Sequence, residues 1–189
     1  MIYFTSDLHF YHKNIISHTG RPFRNVDEMD EALVRNWNNT VMPDDDIYIL
    51  GDVTMRGPDA AYQMLSRLQG RKYLIRGNHD KFVEQQTWKQ YSWIFEWVKD
   101  YHELTIGNDV FILCHYPFAE WNEFFRGSID LHGHQHNHQE YNEEQRAAGI
   151  RRYDVGVDAN TYAPVSYERI LQQVAPAEPQ GQSTKPLSR

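Results

Sequence analysis

The sequence predicts a mixed α/β protein with a parallel sheet in its first half and antiparallel strands in its second. The first half alternates strand, helix, strand, helix and strand, an order that is typical of βαβ units. After Trp97 the pattern changes, because two apolar runs flank Gly107-Asn108-Asp109, a signal for a hairpin turn. At 189 residues the chain has the length of one domain and can bury a full core.

Three short apolar runs supply the strands of the parallel half. They span residues 2–6, 47–50 and 73–75, and each is rich in β-branched or aromatic residues. The segment after the first strand, through Arg21-Pro22-Phe23, is polar and is predicted to be a loop. Helices are predicted over residues 26–37 and 58–70, where apolar residues recur at helical spacing.

The second half is predicted to contain shorter elements. The hairpin strands span residues 101–106 and 110–113, and further strands are expected at 129–131 and 152–155. Ser166 is placed to cap a last helix over residues 167–171. From Pro176 onward the chain is rich in Pro, Gln and Ser, so we expect a single domain at 1–175 and a disordered tail at 176–189.

Composition places the chain among ordinary globular proteins, with 40% hydrophobic and 24% charged residues. No run approaches the roughly 18 apolar residues of a membrane span. The first ten residues lack the basic and apolar regions of a secretory leader. One cysteine, Cys114, excludes an internal disulfide and fits a reducing compartment. We therefore expect a cytoplasmic protein that does not bind membranes.

The net charge of −7 bears on the partners of the protein. Long nucleic acids are bound largely through Lys and Arg contacts to phosphate, so this charge argues against them. A small phosphorylated substrate remains compatible, because bound divalent metals would offset part of the negative charge. The sequence leaves the oligomeric state open.

Polar strings follow the predicted strands at five places, each on a loop at the carboxyl end of a strand. They are Asp7-Leu8-His9, Gly51-Asp52, Gly77-Asn78-His79-Asp80, His115 and Gly133-His134-Gln135-His136. Together they supply carboxylate, imidazole and amide ligands, which are enough to hold two divalent cations side by side. Two such cations suit in-line attack at phosphorus. We expect manganese, and iron, zinc, cobalt and nickel also suit ligation by nitrogen and oxygen.

The order of these strings, over roughly residues 1–160, resembles the calcineurin-like metallophosphoesterase superfamily. The stretches Phe10-Tyr11-His12-Lys13-Asn14-Ile15-Ile16 and Arg21-Pro22-Phe23 are similar to a small bacterial and phage branch of it. The resemblance implies a four-layer α/β/β/α sandwich, with partly parallel and partly antiparallel sheets, and a dinuclear metal centre.

The resemblance implies seven metal ligands. Around the first ion they are Asp7, His9, Asp52 and His136, and around the second they are Asp52, Asn78, His115 and His134. Asp52 is expected to bridge the ions through its two carboxylate oxygens. Asp7 and His9 are expected to alternate along an extended segment, which would direct both side chains to one face.

The resemblance also makes His79 the group that protonates the leaving oxygen, while a water or hydroxide bridging the ions attacks phosphorus. Asp80 is predicted to orient the His79 imidazole and to raise its pKa. Substrate contacts are predicted for His12, Arg21 and Arg56, since a guanidinium suits bidentate recognition of phosphate.

The predicted activity is metal-dependent hydrolysis of a phosphate mono- or diester, with a small nucleotide-type substrate. An alternative in the same class is a nuclease that acts on short oligonucleotides. An alternative of another class is a non-catalytic scaffold that keeps the fold for binding proteins. Such a scaffold would not need a proton donor, so the presence of His79 beside a full ligand set favours catalysis.

Overall fold

The computed structural model describes residues 1–175, and the predicted tail at 176–189 lies outside the described residues. Two β-sheets pack face to face, and both contain parallel and antiparallel pairs. The predicted mixed α/β class is therefore confirmed. Among the described helices, none is both long and apolar enough to cross a membrane.

The elements are numbered in chain order. The strands are β1 (Ile2–Thr5), β2 (Asp46–Ile49), β3 (Arg71–Ile75), β4 (Phe95–Lys99), β5 (Tyr101–Ile106), β6 (Asp109–Cys114), β7 (Ile129–His132), β8 (Arg152–Asp154) and β9 (Val165–Ser166). The α-helices are α1 (Lys13–Thr19), α2 (Val26–Thr40), α3 (Pro58–Leu65), α4 (Glu140–Ala147) and α5 (Tyr167–Val174). Segments of 3₁₀-helix lie at Lys81–Glu84, Gln86–Ile94, Phe124–Arg126 and Val157–Ala159.

The first sheet has the order β4-β3-β2-β1-β9, with β1 to β4 parallel and β9 antiparallel to β1. Its strands alternate between two buried faces. Ile47 and Ile49 face the helical side, where Trp37 of α2 is part of the same core. Phe4 and Tyr48 face the second sheet. Burial on both faces explains why these strands are almost continuously apolar.

The second sheet has the order β5-β6-β7-β8. The hairpin of β5 and β6 is antiparallel, as predicted, whereas β7 and β8 continue parallel to β6. Phe111 of β6 packs on Phe4 of β1 with ring centroids 5.8 Å apart, and Leu113 and Leu131 belong to the same core. The main apolar layer between the sheets therefore joins the two halves of the chain.

Among the elements that were not predicted from the sequence are α1, α4 and β4. The stretch expected to be a polar loop contains α1, which buries only Ile15, so its apolar periodicity is too short to detect. In α4 the buried residue is the polar Asn142, which bonds the backbone of Asp154 on β8. β4 extends the parallel sheet through a run in which only Phe95 is fully buried.

The carboxyl ends of strands from both sheets meet at one edge of the sandwich. The Asp7 N–H donates to the Gly51 carbonyl at 3.0 Å, which joins the loops after β1 and β2. The Gly133 N–H donates to the His115 carbonyl at 3.0 Å, which joins the loops after β6 and β7. A bridge between Ser6 and Gly156 then connects the two sheets. This edge therefore collects the five polar strings.

Trp37 offers a test of this core. Its side chain is fully buried and donates from Nε1 to the Gln69 carbonyl at 2.9 Å. Trp37→Ala should lower the free energy of unfolding by about 3–5 kcal/mol, because it leaves a cavity between α2 and the first sheet. Trp93→Ala is the matched control, since Trp93 is 69% exposed. Urea denaturation checks both, and equal losses would contradict this description of the core.

Candidate metal centre

Ligand atoms from four of the five strings lie close together at this edge. Asp7, His9 and His136 form one group, and Asp7, Asp52 and His115 form a second. Within each group the candidate ligand atoms lie within 4.8 Å of one another. Asp7 belongs to both groups, so the two positions for a cation are adjacent.

Asp52 lies between the histidines of the two groups. Its Oδ2 atom is 3.4 Å from His9 Nε2 and 3.6 Å from His115 Nε2. Its Oδ1 atom accepts the backbone N–H of His79 at 2.9 Å. A single oxygen, and not the predicted pair of oxygens, therefore faces both groups.

The rings of three histidines are each held through Nδ1. His115 Nδ1 lies 2.7 Å from the Leu50 carbonyl, and His136 Nδ1 lies 2.9 Å from Asp158 Oδ2. His9 Nδ1 lies 3.3 Å from Nδ1 of His12. Because carbonyl and carboxylate oxygens only accept, His115 and His136 carry their proton on Nδ1 when neutral and turn the Nε2 lone pair toward the carboxylates.

Burial sets the protonation of this centre. Asp7 is fully buried, and burial raises its pKa to about 7 despite the nearby His136 and the hydroxyl of Ser6, which donates to Oδ2 at 2.5 Å. Burial, reinforced by nearby cationic groups, lowers the pKa of His9 to about 2. His9 is therefore a neutral imidazole, the form that can bind a metal.

The residues fit a divalent metal ion. His9 Nε2 is buried and has no hydrogen-bond partner among residues 1–175, although it faces the carboxylate of Asp52. A buried polar atom without a partner is costly, and a cation placed between this nitrogen and the carboxylate would satisfy both. The donors are nitrogen and oxygen atoms, which suit Mn, Fe, Zn, Co or Ni.

The backbone at the site is strained. Five of the seven predicted ligands have positive φ angles: Asp7 (57°), His9 (53°), Asp52 (56°), His134 (69°) and His136 (51°). The prediction that Asp7 and His9 alternate along an extended segment is therefore wrong. β1 ends at Thr5, and the chain then turns through left-handed conformations that bring both side chains to the centre. Strain of this kind is concentrated at functional sites.

At Gly77 and Gly133 the neighbouring atoms leave no room for a side chain larger than that of glycine. A Cβ on Gly77 would overlap Oδ1 and the backbone N of Asp52. A Cβ on Gly133 would overlap the Ser6 hydroxyl and the Asp7 carboxylate. Both glycines therefore allow another segment of backbone to approach a predicted metal ligand closely.

The remaining predicted ligands, Asn78 and His134, lie beside His115. Asn78 Oδ1 is 3.0 Å from His115 Nε2, and the His134 ring centroid is 5.0 Å from that of His115. His134 also donates its backbone N–H to Asp7 Oδ2 at 3.0 Å. Neither side chain belongs to the two groups of ligand atoms, so their assignment as metal ligands stays a prediction.

His79 stands at the rim of the site, with its side chain 35% exposed. Its Nε2 atom is 3.9 Å from Asp52 Oδ2, so the ring faces the centre. The prediction that Asp80 orients this ring is wrong, because the Asp80 carboxylate accepts the backbone N–H groups of Asp52, Val53 and Gly77 at 2.8–2.9 Å. Asp80 instead holds the loops that carry Asp52 and Asn78.

The predicted substrate contacts have different outcomes. Arg21 is buried, and its guanidinium bonds Asp158 and the carbonyls of Asp7 and Leu8. No donor of Arg21 remains directed at a substrate, so that prediction is wrong. Arg56 is exposed and lines a small cavity next to His79, and His12 lies beside His9. The roles of Arg56 and His12 in substrate binding stay predictions.

Asp158 was not predicted from the sequence to belong to the site. This carboxylate is buried and contacts both Arg21 and His136. Its position could have indicated a role in the site, because Asp158 follows β8 in the same way that the motif residues follow other strands. The signal was weak because Asp158 lies within a 3₁₀ segment and not in a recognisable string.

Comparison with known proteins identifies a matching family and related chains. Residues 1–160 match the family described as calcineurin-like phosphoesterase. The chain is 36% identical over 180 residues to the uncharacterized protein MJ1445 of Methanocaldococcus jannaschii, covering 92% of this chain and 90% of that protein. It is 30% identical over 186 residues to the Gene 66 protein of Mycobacterium phage L5, covering 83% and 86% of the two chains.

A solved structure has the same fold. It is the crystal structure of AQ665, a protein of unknown function from Aquifex aeolicus. The TM-score is 0.67 at 26% identity, and the likeness covers 91% of this chain and 98% of that one. The fold therefore extends over nearly the whole length of both proteins.

Gly77 provides a test of the close approach to Asp52. Gly77→Ala should lower the free energy of unfolding by about 1–3 kcal/mol through overpacking, and should weaken Mn²⁺ binding because Asp52 is displaced. Gly57→Ala is the control, because a Cβ there meets nothing within 4 Å. This change should lower the free energy of unfolding by less than about 1 kcal/mol. Urea denaturation and isothermal titration with Mn²⁺ measure the two effects. A Gly77→Ala protein that behaves like Gly57→Ala would rule out the spatial constraint.

Proposed function

The chain belongs to the calcineurin-like phosphoesterase family, a family of hydrolases acting on phosphoesters, and on that premise we propose that it uses two divalent metal ions to hydrolyse a small nucleotide-type phosphate ester. The observation that carries this proposal is the pair of adjacent ligand groups that share Asp7. We propose manganese as the metal, since the donor set is nitrogen and oxygen.

Both ions would be held by the predicted ligands. Asp7, His9, Asp52 and His136 would hold the first, and Asp52, Asn78, His115 and His134 the second. Divalent ions at these positions would lower the pKa of a water molecule and neutralise the charge of the phosphate. The role of the chain is to turn the imidazoles of His115 and His136 so that Nε2 faces the centre, which the partners of their Nδ1 atoms achieve.

His79 is proposed as the general acid. Its Nε2 atom faces the centre while the ring stays partly open to solvent, so it can carry a proton to a bound ester and be reprotonated from water. As the ester bond breaks, the proton on Nε2 passes to the leaving oxygen. The backbone N–H of His79 donates to Asp52 Oδ1, which fixes the distance between the acid and the ligand set.

A cavity beside the centre supports a small substrate. It has a volume of about 700 Å³ and is lined by His9, His79 and His136 together with His12. This volume lies within the range of small-molecule sites. On the other side of His79, a cavity of about 180 Å³ contains Arg56, whose guanidinium is proposed to contact the phosphate.

Metal content and hydrolysis test the function directly. Purified protein stripped with a chelator and loaded with Mn²⁺ should bind about two equivalents and hydrolyse at least one of a panel of phosphomonoesters, cyclic nucleotides and dinucleotides, as expected for a two-metal centre. Asp52→Asn should lose more metal than His136→Ala, because Asp52 Oδ2 faces both groups. Loaded wild-type protein that hydrolyses nothing in the panel would favour the protein-binding scaffold.

The general-acid role makes a separate prediction. His79→Gln should keep its metal and lose on the order of 10²–10⁴ in kcat for esters with poor leaving groups. The loss should shrink for p-nitrophenyl esters, whose leaving group departs without a proton. His102→Gln is the control, since His102 lies on β5 beside Trp97 and away from the centre. An equal loss on both kinds of ester would exclude His79 as the acid.

A further inference from the structure

A buried ion pair lies directly behind the metal centre. Arg21 and Asp158 are 3% and 7% exposed, and the guanidinium binds the carboxylate through two parallel contacts. Nε lies 2.8 Å from Oδ1, and Nη2 lies 2.8 Å from Oδ2. Burial would raise the pKa of Asp158, but the hydrogen bonds from His136 and Arg21 outweigh it and hold that pKa at about 2. The carboxylate is therefore charged.

The other donors of Arg21 hold the turn after β1. Nη2 donates to the Asp7 carbonyl at 2.7 Å, and Nη1 donates to the Leu8 carbonyl at 3.1 Å. Asp7 and His9 flank these carbonyls in left-handed conformations. A charged donor that binds two successive carbonyls opposes the relaxation of such a turn toward extended backbone.

Asp158 holds the third ligand of the same group. Its Oδ2 atom accepts from His136 Nδ1 at 2.9 Å as well as from Arg21 Nη2. This contact turns His136 Nε2 toward Asp7 Oδ1, at 4.0 Å. The pair therefore contacts Asp7 and His136 directly, and reaches His9 through the backbone of Leu8.

The second group shares Asp7, but its other two members, Asp52 and His115, are supported by other atoms. His115 is held by the Leu50 carbonyl, and Asp52 is held by the backbone of His79. Asp80 in turn accepts from the backbone of Asp52 and Gly77. Neither Arg21 nor Asp158 takes part in these contacts.

From this division of contacts we propose that Arg21 and Asp158 are positioning residues that selectively set the affinity of the cation position formed by Asp7, His9 and His136. The inference rests on the proposed metal-dependent function. It goes beyond that function by assigning separate structural supports to the two cation positions. The affinity of one position can then be weakened while the affinity of the other persists.

A different buried pair provides a matched control. Asp130 of β7 is fully buried and binds Arg152 of β8, with Nε 3.2 Å from Oδ2. Arg152 also donates to the Phe118 carbonyl. Like Arg21–Asp158, this pair joins an arginine to a buried carboxylate, although the Arg152 side chain is 16% exposed. It contacts none of the seven predicted ligands. An effect of lost ion pairing on folding alone should therefore be similar for both pairs.

The experiment compares Asp158→Asn, Arg21→Lys and Asp130→Asn by isothermal titration with Mn²⁺ and by electron paramagnetic resonance of the loaded proteins. An amide offers one oxygen where the carboxylate offers two. Lysine has three donors on a single nitrogen, so it cannot replace the four contacts that Arg21 makes with the Asp158 carboxylate and the two carbonyls. We expect Asp158→Asn and Arg21→Lys to weaken one of the two Mn²⁺ equivalents by about 10–100-fold, the usual effect of removing a partner of a metal ligand. The spectrum should change from a coupled pair toward an isolated ion.

Asp130→Asn should keep two equivalents with wild-type affinities, even if its melting temperature falls. Arg21→Lys retains the charge and provides a second variant in case Asp158→Asn does not fold. Unchanged affinities in a folded variant of Arg21 or Asp158, or equal weakening of both equivalents, would overturn the inference alone. Wild-type protein that binds no Mn²⁺ would overturn the proposed function and the inference with it.

Discussion

The burial of Asp7 and Asp52 where the two sheets meet is the constraint on which the site depends. A carboxylate removed from water is costly unless donors or cations compensate it. The chain supplies donors for part of this need, through the Ser6 hydroxyl and the backbone N–H groups of His134 and His79. It directs Asp52 Oδ2 toward Nε2 of His115, which has no proton to give when neutral, and toward Nε2 of His9. A cation between them would complete the arrangement and would link folding of this edge to metal binding.

The convergence of the five strings could be predicted, because parallel strands end at the same edge of a sheet. The local backbone could not. Left-handed conformations at Asp7 and His9 depend on contacts with loops far along the chain, such as those of Gly51 and Gly133. α1 was missed for the related reason that a single buried residue, Ile15, gives no periodic pattern. The sequence pattern therefore predicted which residues come together at the site. Their backbone conformations were determined by packing between segments that are distant in sequence.

The supporting residues were the hardest to identify from sequence. Asp80 adjoins His79 in the chain, so local reasoning paired them, yet its carboxylate binds backbone donors on two loops. Arg21 is a cationic side chain close in sequence to predicted metal ligands, which favours a substrate contact, yet its donors are used inside the protein. In both cases the correct partner lies many residues away, and only the folded backbone brings it close. Charge and proximity in sequence are insufficient to distinguish a binding residue from a supporting one.

The distances in sequence between these partners have a consequence for biosynthesis. Asp7 is bonded by a residue 127 positions later, and Arg21 pairs with one 137 positions later. A nascent chain emerging from the ribosome therefore carries half a centre, with strained turns whose partners have not been translated. Pairing between segments that are distant in sequence is slow, because the entropy of closing the long loop is lost before any contact compensates for it. Capture of the metal is therefore expected to be a late event, after the segment that follows β8 has been translated, and the concentration of free metal at that moment would decide which ion is kept.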